Sequence, residues 1–144
     1  MQNSLNLPSD DDVRRFLPVS RSMPDPRAAA ATSLILFSAY NDAELNRARW
    51  PDLDRKTGRL LRNRNDENAY EQLTELLVRQ LLAIERRSPT GKIFASSPRF
   101  PLPLRAVLAS VLERAGLAHF TTNDFVRWSQ LQPVSVRLAV ATAA

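Results

Sequence analysis

The sequence predicts an all-α protein, a compact bundle of four to six helices with an extended N-terminal arm and a proline-rich connector. Three observations predict it. Only 3 glycines stand against 10 prolines in 144 residues, so few turns with positive φ are available for tight hairpins. Apolar residues recur at spacings of three and four in several stretches, which is the period of a half-buried helix. Those stretches begin and end on residues that cap helices. An apolar fraction of 44% and a charged fraction of 24% are those of a folded domain, and the length suits one domain over residues 25–144 behind an arm over 1–24.

The arm is expected to be extended or flexible because it carries Pro8, Pro18, Pro24 and the acidic triplet Asp10–Asp12 without helical periodicity. Within it, Val13 to Leu17 reads as a short turn that docks on the body. Asp25-Pro26 then starts a helix: the aspartate accepts from free amides, and proline fits a first turn that needs no N–H. This helix, over about 26–40, is apolar nearly all round and belongs at the centre of the core. Asn41 to Glu44 resembles a capping box and opens a short helix over 42–49, which Trp50-Pro51 ends. Residues 52–64 read as a basic loop or a helix broken at Gly58.

A long helix is expected over 66–87, capped by Asn65, with Tyr70, Leu73, Leu77, Leu81 and Ile84 in one stripe. Its acids gather at the start and its bases at the end, matching the helix dipole. Ser88 to Gly91 stops it. The connector over 92–103, with Pro98, Pro101 and Pro103, has room for a short strand at Lys92–Ala95. Leu104 to Ala115 forms a helix ended by Gly116, and a further helix runs from a cap at Thr121, Thr122 or Asn123 to Leu131. Residues 134–144 alternate Val134, Val136, Leu138 and Val140 as a strand would; Ser135 as a cap favours a helix, which is the expectation.

Composition narrows the chemistry. Cysteine is absent and His119 is the one histidine, which excludes disulfides, thiol chemistry and a Cys/His zinc site. No metal, no cofactor and no catalytic residue is expected. Residues 1–25 show no signal-peptide pattern, and the most apolar run, Ala28 to Tyr40, is too short for a bilayer, which needs about 20 residues. A cytoplasmic location without membrane contact is the expectation. The formal net charge is +5, and 18 of the 20 basic residues are arginine, whose forked guanidinium binds phosphate and carboxylate at two points. Codon bias in a GC-rich genome would produce the same arginine excess without a function behind it.

Four constellations in the sequence are candidates for function. Between residues 47 and 64 lie Arg47, Arg49, Arg55, Lys56, Arg59, Arg62 and Arg64, seven bases opposed only by Asp52 and Asp54. Such a patch neutralises phosphates, and Trp50 within it is placed to stack on a base. Against this stands a solvated turn with Trp50 as a core anchor. Second, Asp124–Gln130, the turn at Leu131-Gln132-Pro133 and Val134–Ala141 have the lengths of a helix-turn-helix, with Ser135 and Arg137 facing a groove. The second helix is too apolar to read base edges. Third, His119 as a base and the acid pairs Asp52/Asp54 and Glu71/Glu75 lack a nucleophile beside them, so enzymatic activity is not expected. Fourth, Val78, Leu82 and the connector residues Ile93, Phe94, Phe100 and Leu102 are surplus apolar surface suited to self-association.

The expectation is therefore a non-catalytic nucleic-acid-associated protein, or an accessory subunit of a nucleoprotein complex, binding DNA or RNA backbone through Arg47, Arg49, Trp50, Arg55, Lys56, Arg59, Arg62 and Arg64. The alternative is a structural or adaptor protein that self-associates or binds an acidic protein partner.

Overall fold

The computed structural model describes residues 6–62, 69–84, 86 and 89–142, with Ala141 and Thr142 described by their backbone only. Among these residues the chain forms seven helices and a three-stranded antiparallel sheet, so the all-α expectation is corrected to a helix-rich mixed fold. The helices are α1 (Asp10–Ser22), α2 (Pro26–Ser38), α3 (Asp42–Arg47), α4 (Glu75–Leu82), α5 (Leu104–Arg114), α6 (Thr122–Leu131) and α7 (Val134–Thr142); the strands are β1 (Leu53–Asp54), β2 (Arg59–Leu61) and β3 (Tyr70–Gln72).

The expected extended arm is α1. Ser9 accepts from the Asp12 amide at 3.1 Å, and the Asp12 carboxylate accepts from the Ser9 amide at 2.8 Å, a reciprocal cap. The acidic triplet is therefore a helix start, where negative charge meets the positive end of the dipole. Pro18 lies inside α1 and does not end it. Val13, Phe16 and Leu17 are fully buried, and Phe16 packs on Phe125 with ring centroids 4.5 Å apart. The Trp128 indole N–H of α6 donates to Asp10 at 3.3 Å, closing α1 onto the body.

Helix α2 is the central element, as its all-round apolar sequence predicts, and it packs against α1, α4, α5, α6 and α7. Asp25 caps it through the Arg27 amide, and Ala39 ends it in the left-handed region at φ 53°. Its backbone serves the core as well: the Leu36 carbonyl accepts from the buried Ser129 hydroxyl of α6 at 2.9 Å. Helix α3 carries the Asn41/Glu44 capping box, and α5 and α6 lie close to their expected bounds. Gly116 follows α5 at φ 73°, the left-handed conformation that glycine adopts without a Cβ penalty. The 134–142 segment is helical, as expected.

The long 66–87 helix is the second correction. Of the described residues in that span only Glu75–Leu82 is helical, with Thr74 as its cap, and Asn65 lies outside the described residues. Upstream, Tyr70–Gln72 pairs with β2 in the register Arg59↔Gln72, Leu60↔Glu71 and Leu61↔Tyr70. Here tertiary pairing overrides local helical preference. Leu73, Leu77, Leu81 and Ile84 are buried as the stripe requires, whereas Tyr70 is 40% exposed. Residues 53–61 are a hairpin in which β1 and β2 pair Leu53 with Leu60 and Asp54 with Arg59. Both leucines face the core. The Lys92–Ala95 strand is reduced to a single bridge between Lys92 and Arg49, flanked by hydrogen bonds from Trp50 N to Gly91 O and from Ile93 N to Ala48 O. No helix among the described residues is long and apolar enough to cross a membrane.

Candidate nucleic-acid interface

The hairpin and the chain entering it position the basic residues. Asp54 ends β1 and accepts from the amides of Lys56 and Thr57, which bends the chain and lifts Arg55 and Lys56 at the hairpin tip. These backbone hydrogen bonds also hold the Asp54 carboxyl below its ordinary range. Gly58 closes the turn at φ 72°. A Cβ there would sit 3.2 Å from the Gln72 amide nitrogen and 3.4 Å from the Leu73 carbonyl, so both conformation and space call for glycine. Arg59 follows on β2, its guanidinium 4.5 Å from the centre of the exposed Tyr70 ring.

Arg47, Arg49, Arg55, Lys56 and Arg59 are all exposed, and none forms an ion pair among the described residues. The bridge between Arg49 and Lys92 adds a further exposed cation beside the first. Arg86 lies with its guanidinium 5.7 Å from the centre of the Trp50 ring. Lys92 and Arg86 escape a reading along the chain, because only the bridge to the connector and the packing on Trp50 bring them to this edge. Asp52 and Asp54 remain as interspersed acids. The hairpin and the segment entering it thus expose more cations than acids, with guanidinium and ammonium groups facing water.

Two of the residues named from the sequence do not join that edge, and a third is not among the described residues. Trp50 is 5% exposed and packs in the core, so it serves as an anchor and offers no face to a base. Arg62 is drawn into the protein. It pairs with Glu44 and Glu71, donates to the Ser38 and Ala39 carbonyls at 2.8 and 3.0 Å, and lies 4.5 Å from the centre of the Tyr40 ring. It thereby caps the negative end of α2 and ties α3 to β3. The hydrogen bond to Glu44 foremost strengthens its hold on the proton; burial opposes this, and the Glu44 charge reinforces it. Arg64 lies outside the described residues.

The helix-turn-helix shape is present in α6, Gln132-Pro133 and α7, but α7 packs on α1 and α2. Arg137 donates to the Phe37 carbonyl at 2.7 Å and the Gln132 carbonyl at 3.1 Å, so it holds helix ends together. A cavity of about 590 Å³ lies between the end of α2, β3, α4 and α7. Its two arginines, Arg62 and Arg137, are the two already engaged with backbone carbonyls. His119 is exposed and its ring contacts Phe120 at 4.2 Å. No group of three His, Asp or Glu side chains suited to a metal ion occurs among the described residues.

No family model and no curated protein matches the chain. Among solved structures, the chain is similar to the one described as the crystal structure of XerA recombinase, with a TM-score of 0.67 and 14% sequence identity over 96% of this chain. At that identity the likeness is one of fold. The chain spans 60% of the length of that recombinase chain.

Proposed function

We propose that this chain is a non-catalytic nucleic-acid-associated protein, acting as an accessory module of a larger nucleoprotein assembly, and that it contacts the phosphate backbone through the hairpin edge. The observation that carries this reading is the set Arg47, Arg49, Arg55, Lys56 and Arg59, exposed and without ion pairs among the described residues, with Lys92 beside Arg49. Phosphate neutralisation needs cations in water on one edge, and releasing the condensed counterions drives the binding. About half to two-thirds of protein–DNA hydrogen bonds go to phosphate and sugar and carry no sequence information directly, which fits a surface whose exposed groups are mainly cations. The fold likeness to a recombinase supports association with nucleic acid in the same coarse sense.

The test is a fluorescence-anisotropy titration of labelled duplex DNA and of single-stranded RNA across a salt series. Five cations predict that log K falls linearly with log salt with a slope of about −3 to −5. Replacing Arg55, Lys56 and Arg59 together by alanine should make that slope shallower by about 3, one per lost phosphate contact. Absence of binding at the lowest salt, or a triple variant that binds as the parent does, overturns the reading.

A further inference from the structure

We propose that a second site, a slot between the α1–α2 turn, the proline-rich connector and α5, docks one apolar side chain from an acidic peptide segment of a protein partner. The slot has a volume of about 200 Å³, the size of a single large side chain, and its walls are Met23, Pro24, Phe100, Pro101, Leu102 and Val107. Leu102 is 55% exposed at its mouth, an apolar group that the fold itself leaves uncovered.

The slot is held in shape before anything binds. Arg27, 2% exposed, pairs with Asp25 at 2.6 Å and donates to the carbonyls of Phe94, Phe100 and Leu102 at 3.3, 3.2 and 2.7 Å. Ser97 and Phe100 close a turn through Ser97 N to Phe100 O and Phe100 N to Ser97 Oγ, and the Ser96 hydroxyl donates to the Leu102 carbonyl. A connector with three prolines is thus fixed by one buried guanidinium and two serines, so a ligand pays little to order it.

Charge selects the partner. Asp25, the acid lining the slot, is already neutralised by Arg27. Arg99 stands in the wall itself, exposed and without an ion pair among the described residues. An apolar slot with an unpaired guanidinium in its wall and its one acid neutralised fits an aliphatic or aromatic anchor flanked by Asp and Glu. A phosphate backbone has no group to fill it.

The experiment is a titration of the full ¹⁵N-labelled chain, followed by amide chemical shifts, with the blocked peptide Glu-Asp-Glu-Leu-Asp-Glu and with its counterpart bearing alanine for leucine. Shifts at Met23, Phe100, Leu102 and Val107 are expected, about tenfold weaker in affinity for the alanine peptide. Leu102→Ser and Arg99→Glu, both at exposed positions, should each weaken the leucine peptide by about threefold or more while thermal melting stays that of the parent. Equal shifts with both peptides, or shifts confined to the Arg55–Arg59 hairpin, reduce the effect to general charge attraction and overturn the proposal. So does an oligothymidine probe that shifts the same four amides. Since no variant touches the hairpin, this outcome is separate from that of the phosphate-binding test.

Discussion

Arg59 opens β2 and Arg62 follows its last residue, three positions on, yet Arg62 turns inward and Arg59 stays on the surface. Arg62 reaches two carboxylates, two carbonyls at the end of α2 and the face of Tyr40. Arg59 rests on an exposed tyrosine and reaches no carboxylate. Arg27 and Arg137 side with Arg62: each donates to backbone carbonyls far along the chain. The difference teaches that an arginine count does not measure a binding face. In this fold a guanidinium that can satisfy several carbonyls at helix ends and connectors acts as an internal tie, and only those stranded on the hairpin edge are left for a partner.

The largest effect is expected at the most buried tie. Arg27→Ala leaves Asp25 enclosed without its counter-ion and takes one donor from each of three connector carbonyls, of which those of Phe100 and Leu102 keep a second donor from Ser97 N and the Ser96 hydroxyl. Breaking a buried pair from one side costs about 3–5 kcal/mol. Urea unfolding should show a loss of that order, and the double variant Asp25→Asn/Arg27→Met should recover part of it, because no unpaired charge is then enclosed. A loss below about 1 kcal/mol would place Arg27 with the surface arginines instead.

Arg62→Met comes next, at about 1–3 kcal/mol, since hydrogen bonds to charged groups are lost at a half-buried site. It also carries a pH signature. Burial alone would raise the Glu44 carboxyl, but the hydrogen bonds from Arg62 and the Asn41 amide, with the Arg62 charge, hold it below the ordinary value of 4.5. A carboxyl lowered in the folded state stabilises fully above its unfolded pKa and loses that contribution as pH falls through the folded one. Parent stability should therefore decline as pH is taken below about 4.5, and the Glu44 share of that decline should shrink in Arg62→Met, where the Asn41 amide still favours the carboxylate. Identical pH profiles for parent and variant would break the assignment.

What could be read from the chain alone follows the same division between local and distant causes. Helices α2, α3, α5 and α6 were legible because their starts and stops are local: Asp25-Pro26, Asn41 with Glu44, Gly116, and Thr121 with Asp124. Helix α1 was equally marked by Ser9 and Asp12, but three prolines and an acidic run drew the reading toward an extended arm. The sheet was illegible because strands of two and three residues are too short to show alternation, and β3 borrows the apolar spacing of the helix after it. The hairpin cations were visible as a cluster. The capture of Arg62 was not, because Glu44 and Glu71 lie outside the window that counted seven bases against two acids, and only folding brings them in.

The hairpin itself is sharpened by Gly58→Ala. The residue sits at φ 72° with the Leu73 carbonyl and the Gln72 side chain close by, so an alanine incurs about 1–2 kcal/mol of left-handed strain plus a local shift. Thermal melting should fall accordingly. Nucleic-acid affinity should drop with it, because the tip that carries Arg55 and Lys56 is displaced.

The smallest effect on folding belongs to the residues on which the proposed function depends most. Arg55 and Lys56 are exposed at the tip and contribute no ion pair among the described residues, so charge reversal of both should change stability by no more than about 0.5 kcal/mol. Their reversal also places two new acids beside Asp54, which raises local repulsion but leaves the backbone bonds of the turn in place. Parent-like melting together with lost polyanion binding would separate the two classes of arginine cleanly. A variant that unfolds as Arg27→Ala does would show that the tip is structural after all, and the contrast between edge and interior would then fail at its weakest-held point.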